Sequence, residues 1–178
     1  MLKKTFFLAA SLATISGTAV ADTVSVTNNG NTGSGTFRDA VETANTNSAI
    51  DTIQFDDDYS IGLQSEVLYT GTQDLHIEGN GSTLTGDKSV DTDTWNSGLF
   101  VAKGCASLTI ENLSFADSFN NGLAVFLGVL SGDTYTPCSK EVSIELHNAD
   151  ISNSQFFGAL IDGQATTGFN TDDIIHNA

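Results

Sequence analysis

From Leu108 to Ser118, apolar and polar positions alternate on either side of an asparagine, and thirty-six positions later the pattern returns between Ile144 and Ser154. Leu108 falls on Ile144, Ile110 on Leu146, Asn112 on Asn148, Leu113 on Ala149, Phe115 on Ile151 and Ser118 on Ser154. A looser copy lies thirty-three positions upstream, where Leu75, Ile77 and Gly79 take the places of Leu108, Ile110 and Asn112. Such alternation predicts two short strands joined at a bend in each copy. A unit this short cannot bury its apolar face alone, so copies must stack on one another to make a core. The expected fold is all-β, a solenoid of β coils. Third strands are expected behind glycines, at Gly98 to Val101, Gly122 to Phe126 and Gly158 to Ile161. Asn112 stacked over Asn148 predicts a ladder of side-chain amides at the bend. At roughly 22 to 25 residues per coil, near the low end for stacked repeats, the chain after its cap makes about five coils.

The period changes once. Thr23 to Thr27 reads as a β-branched strand, Asn28 to Gly35 as turn chemistry, and then Phe37, Ala40, Val41 and Ala44 fall at helical spacing on one stripe. The helix is expected over about 36–45, with Thr36 as its N-cap and Asp39 suited to the positive end of its dipole. Strand alternation resumes through Ile53 and Phe55. An open first coil would expose core side chains and unpaired strand edges, and a strand–helix–strand lid closes it. The expected organisation is therefore a cap over 22–55 and coils over 56–178.

The run from Val26 to Phe55, with G-S-G-T-F-R-D-A at Gly33 to Ala40, resembles the N-terminal cap of secreted bacterial right-handed parallel β-helix proteins of the pectate-lyase-like superfamily. Many of those proteins carry G-x-G-[ST]-[LF]-R-x-A there. Asp74 to Gly86 resembles an early rung of the same proteins. The resemblance implies a short right-handed parallel β-helix in which Thr36, Phe37, Arg38 and Val41 are structural cap residues. As the single arginine of an acidic chain, Arg38 is expected to pair with a cap carboxylate or with backbone carbonyls.

Residues 1–21 read as a cleaved signal peptide: Lys3 and Lys4, an apolar run from Phe6 to Ile15, and Ala19-Val20-Ala21 before Asp22. The run is too short to span a membrane, so no transmembrane segment is expected and the chain is placed outside the cytoplasm, as a secreted, periplasmic or cell-surface protein. The 178 residues carry 22 acidic and 6 basic side chains, a net charge of −16; losing Lys3 and Lys4 leaves 4 − 22, or about −18. Such a surface repels nucleic acid. It attracts hard cations, and Ca²⁺ is the one cofactor the composition suggests, at the acidic turns Asp56-Asp57-Asp58 and Asp91/Asp93.

Cys105 and Cys138 precede corresponding strands of adjacent coils, and stacking would bring them within the bridging range of ~4.4 to 6.8 Å. Export favours a disulfide between them. Asn170-Thr171-Asp172 is similar to the N-T-D motif of polygalacturonases, but the chain holds none of that family's later motifs, and glycosidic hydrolysis needs a second carboxyl group. Lyase chemistry would need a basic residue beside cation-binding carboxylates, and Arg38 sits in the cap. His76, His147 and His176 are dispersed, with the first two facing outward. No catalytic or metal-ligating residue is assigned on this reading. Trp95 and Tyr135 lie in long loops where they could stack on a sugar.

The expected function is that of an exported, non-enzymatic β-helix: a structural, adhesive or carbohydrate-contacting module at a cell surface. The alternative is the N-terminal fragment of a polysaccharide lyase or glycoside hydrolase whose catalytic coils are absent. No polar C-terminal cap is evident after Asn170, so a truncated product, or a partner packing on the open last coil, is expected.

Overall fold

The computed structural model describes residues 22–86, 97–131, 134–136, 138–163 and 167–171. In chain order the elements are β1 (Asp22–Val26), α1 (Phe37–Thr46), β2 (Ile50–Phe55), β3 (Ser60–Gly62), β4 (Val67–Tyr69), β5 (Leu75–Glu78) and β6 (Thr83–Thr85). There follow β7 (Gly98–Gly104), β8 (Leu108–Glu111), β9 (Ser114–Ala116), β10 (Asn121–Leu127), β11 (Val129–Ser131) and β12 (Thr134–Thr136). The last are β13 (Val142–His147), β14 (Ile151–Ser152), β15 (Ala159–Gly163) and β16 (Thr167–Thr171). Among the described residues the regular structure is all-β apart from α1, and the larger sheets are parallel.

Three parallel sheets take strands from the chain in rotation. The first runs β1-β2-β5-β8-β13-β16, the second β14-β9-β6-β3 and the third β15-β10-β7-β4. Inward positions align in columns. Ile53 pairs with Ile77, Ile77 with Ile110 and Ile110 with Leu146. In the second sheet the column is Ile61, Leu84, Phe115 and Ile151, and in the third Val67, Phe100 and Leu123. These side chains are buried, each contributing on the order of 1.5 to 3 kcal/mol. The core therefore lies between the three sheets; alternate positions are more exposed along β5, β8 and β13 of the first sheet and β6 and β9 of the second, whereas in β7 and β10 of the third the alternate residues Leu99, Val101 and Ala124 are buried as well.

The spacing is less uniform than 22 to 25 residues. Along the first sheet, the step from Ile53 to Ile77 is 24 residues, from Ile77 to Ile110 33, from Ile110 to Leu146 36 and from Ile144 to Phe169 25. In sequence, most of the additional residues fall in the connections from β6 to β7 and from β10 to β13. In the 36-residue step, β11 and β12 form an antiparallel hairpin that a purely parallel scheme does not include. The looser repeat also has a longer bend. Glu78 pairs with Glu111, an offset of 33, whereas Thr83 pairs with Ser114, an offset of 31, so the turn through Gly79-Asn80-Gly81-Ser82 holds two more residues than Asn112-Leu113. Gly79 is required there: a Cβ would meet Leu113 Cβ at 2.5 Å and the Asn112 carbonyl at 2.6 Å.

Helix α1 buries Phe37, Ala40, Val41 and Ala44. Phe37 lies between the rings of Phe55 and Phe100, with centroids 5.5 and 5.7 Å away. Thr36 is its N-cap, accepting from the Asp39 backbone, while Asp39 Oδ2 accepts the Gly35 amide at 2.9 Å. Arg38 resolves its two options in favour of carbonyls: it donates to Glu66 O at 2.6 Å, Ser65 O at 2.9 Å and Asn31 O at 3.2 Å. Two turns on, Asn45 donates to Leu68 O at 2.8 Å and accepts from Thr70 N at 2.7 Å. The helix thus satisfies the free edge of β4, which no other described strand covers.

Candidate functional site

The outward face of the first sheet concentrates the titratable groups. Strand alternation that sends Leu75, Ile77, Leu108, Ile110, Ile144 and Leu146 inward sends His76, Glu78, Thr109, Glu111, Glu145 and His147 outward. Register then makes two columns. One holds Thr52, His76, Thr109 and Glu145; the other holds Gln54, Glu78, Glu111 and His147.

Where the columns meet, His76, Glu78 and Glu111 bring one imidazole nitrogen and two carboxylate oxygens within 4.8 Å of one another. His76 Nε2 stands 3.8 Å from Glu111 Oε1, too far for a hydrogen bond, and among the described residues it has no hydrogen-bond partner although solvent does not reach that atom. Glu78 is held firmly: its Oε1 accepts the Asn80 backbone amide and the Asn112 side-chain amide, both at 3.0 Å. One strand further along, His147 Nε2 approaches Glu145 Oε2 at 3.4 Å.

The asparagines at the bend connect to this group. Asn148 Nδ2 donates to Asn112 Oδ1 at 2.6 Å, and Asn112 Nδ2 donates to Glu78, so the amide stack ends on a carboxylate. Asn80, Asn112 and Asn148 all hold left-handed backbone, with φ of 51°, 52° and 50°. A second stack, from Asn153 to Asp117, repeats the arrangement beyond the second sheet, again with both residues at positive φ.

No protein-family model, curated protein or solved structure matches this chain. The site must accordingly be read from its own chemistry.

The convergence of His76, Glu78 and Glu111 was not anticipated from sequence, where His76 is simply an outward-facing residue. The signal was present in L-H-I-E over L-T-I-E, since superposing those strands sets Glu78 beside Glu111 and leaves His76 two positions away on the same face. Asp56 and Asp57 engage local partners: Asp56 accepts the Tyr59 hydroxyl and Asp57 Oδ1 the Asp58 amide. Tyr59 is pushed up to about 12, first by that hydrogen bond, then by desolvation and by the charges of Asp56 and Asp57. Among the described residues, no group of three metal-ligating side chains other than His76, Glu78 and Glu111 converges.

Cys105 and Cys138 lie at disulfide distance, with Cα atoms 5.4 Å apart. Near them Asp74 Oδ1 receives Lys140 Nζ at 2.6 Å and the Ser107 amide at 2.7 Å. Partial burial pushes the Asp74 carboxyl up, but these two donors outweigh it and hold it below its ordinary range. Of the N-T-D run, the backbone of Asn170 pairs with Glu145 and that of Thr171 with Leu146. Asp172, His176, Asp91, Asp93, Trp95 and residues 1–21 lie outside the described residues. Two aromatics unremarked in the sequence, Phe156 and Phe157, are 45% and 51% exposed, with their amides donating to Asn120 O and Asn121 Oδ1. Among the described residues no helix is long and apolar enough to cross a membrane.

Proposed function

We propose that this chain is an exported right-handed parallel β-helix of the pectate-lyase-like kind, a non-enzymatic surface module whose first sheet contacts an extended carbohydrate. The observation that carries the reading is the pair of outward columns on that sheet. Thr52 and Gln54, His76 and Glu78, Thr109 and Glu111, and Glu145 and His147 repeat hydrogen-bonding groups from strand to strand. Strands are ~4.8 Å apart, so the face offers a regular line of donors and acceptors to a polymer whose hydroxyls also repeat. The rotation of strands among three parallel sheets supports a helical coil, and the half-cystine pair supports an oxidising compartment. Phe156 and Phe157 add an exposed apolar surface of the kind a sugar ring can cover.

Affinity electrophoresis through gels containing neutral or acidic polysaccharides, with and without Ca²⁺, tests this. Retardation by at least one polymer is expected, with no new reducing ends or unsaturated products. A Thr52→Ala, Gln54→Ala, Thr109→Ala variant should migrate freely. Turnover of any polymer, or retardation untouched by the triple substitution, would reject the reading.

A further inference from the structure

We infer that His76, Glu78 and Glu111 form a binding site for one divalent first-row transition ion of the Zn²⁺ class. The inference is independent of carbohydrate contact. It stands on three observations.

The donor set is the first. One imidazole nitrogen and two carboxylate oxygens suit Zn²⁺ and its neighbours, whereas Ca²⁺ takes oxygen ligands. Their mutual separation is at most 4.8 Å. Ligands of a tetrahedral ion at ~2.0 to 2.2 Å stand about 3.4 Å apart, so rotation of half-exposed side chains closes the gap with no backbone change. Three protein donors leave the remaining positions to water.

The second is the state of the donors without an ion. Glu78 and Glu111 are directly opposed on adjacent strands, an arrangement of like charges that costs stability. Among the described residues no lysine or arginine pairs with either, and His76 Nε2 stands 3.8 Å from Glu111 Oε1. His76 Nε2 is covered and meets no hydrogen-bond partner among the described residues. A cation between the three relieves the repulsion and completes the imidazole at once.

The third is the support around Glu78. Metal-binding carboxylates are typically oriented by hydrogen bonds from surrounding groups. Both donors to Glu78, the Asn80 amide and the Asn112 side chain, go to Oε1, and Asn112 is itself held by Asn148. The amide stack thereby fixes one ligand in place through a bend whose left-handed residues leave it little freedom.

The experiment uses protein purified without a polyhistidine tag, stripped with chelator and titrated with Zn²⁺, Co²⁺ and Ca²⁺ by calorimetry. One Zn²⁺ per chain is expected, with Co²⁺ giving visible ligand-field bands and Ca²⁺ failing to compete. His76→Gln and Glu111→Gln should each weaken Zn²⁺ by about 100-fold or more, Asn112→Ala by about 10- to 100-fold, and His147→Gln by little. NMR of the imidazole nitrogens in the unsubstituted protein supplies a reading that needs no variant: Zn²⁺ should move the His76 resonances and leave those of His147. Absence of Zn²⁺ binding, binding unaltered by His76→Gln in folded protein, or a shift confined to His147 would overturn the assignment.

Discussion

Asn148 and Asn112 adopt the same left-handed backbone one strand apart, with φ of 50° and 52°, and the amide of the first donates to the second at 2.6 Å. Each asparagine thus does two jobs: it tolerates a conformation that ordinary residues avoid, and it satisfies its neighbour. The two jobs can be separated. Asn112→Gly keeps the backbone and loses the hydrogen bonds, at a cost of about 1 kcal/mol. Asn112→Ala loses the bonds and also strains the backbone, at a cost of about 2 kcal/mol. Urea unfolding of the two variants measures the difference, and equal midpoints would mean that φ at this bend carries no strain.

Helix α1 seals β4 through Arg38 and Asn45, and this predicts that charge at position 38 is less important than its fork. Arg38→Ala abandons the carbonyls of Asn31, Ser65 and Glu66 and should cost about 3 kcal/mol. Arg38→Lys keeps the charge but cannot reach several carbonyls from one plane, and should recover less than half of the loss. Full recovery by lysine in denaturant titrations would show that the contact is a simple charge effect.

The half-cystine pair joins residues 33 apart in the chain. In the chain-entropy account, closing such a loop stabilises by about 3 to 4 kcal/mol. For a domain of this size the Cys105→Ser, Cys138→Ser variant should melt about 10 °C lower. Reduction of the unsubstituted protein should produce the same fall, scored by calorimetry alongside thiol titration. Two free thiols with an unchanged melting point would contradict it.

Alkaline pH offers a further check. Tyr69 is pushed up to about 12, chiefly by burial and then by the charge of Asp74, and its hydroxyl donates to Gln73 O at 2.6 Å. Its pKa is higher in the folded chain than in the unfolded one, near 10, so the protonated phenol favours the folded state. That contribution is complete below about pH 10 and declines as pH rises towards 12. Stability measured in urea should therefore fall across this window, and Tyr69→Phe should flatten the fall while costing about 1 kcal/mol at neutral pH. An equal alkaline decline in Tyr69→Phe would locate the effect elsewhere.

The apolar alternation made the strands readable, and the match of Leu108 to Ile144 is the register in which β8 meets β13. The stripe of Phe37, Ala40, Val41 and Ala44 likewise marks the buried side of α1. Less was legible where spacing varied. The two additional residues between Glu78 and Thr83 leave the apolar pattern of each strand intact, so alternation alone does not reveal them. The hairpin of β11 and β12 was missed because it lies outside the repeat. His76, Glu78 and Glu111 were missed for a different reason: alternation assigns a side chain to a face, but which outward groups converge depends on register between strands 33 residues apart. Asn45 and Gln73 are similar cases. The Asn45 amide bonds the edge of β4, and Gln73 Nε2 reaches the Ala44 and Ile50 carbonyls at 2.7 and 2.9 Å, long-range contacts that no local pattern announces.

Pairing in the first sheet stays in step while the intervening chain grows from 24 residues to 36. Growth is absorbed in the connecting segments, as in the β11–β12 hairpin, and the strand register is kept. This makes the molecule a natural display scaffold. A peptide inserted between Ser131 and Thr134 would extend the β11–β12 hairpin without altering the register of the parallel sheets, and a series of insertions of increasing length should leave the melting temperature nearly constant.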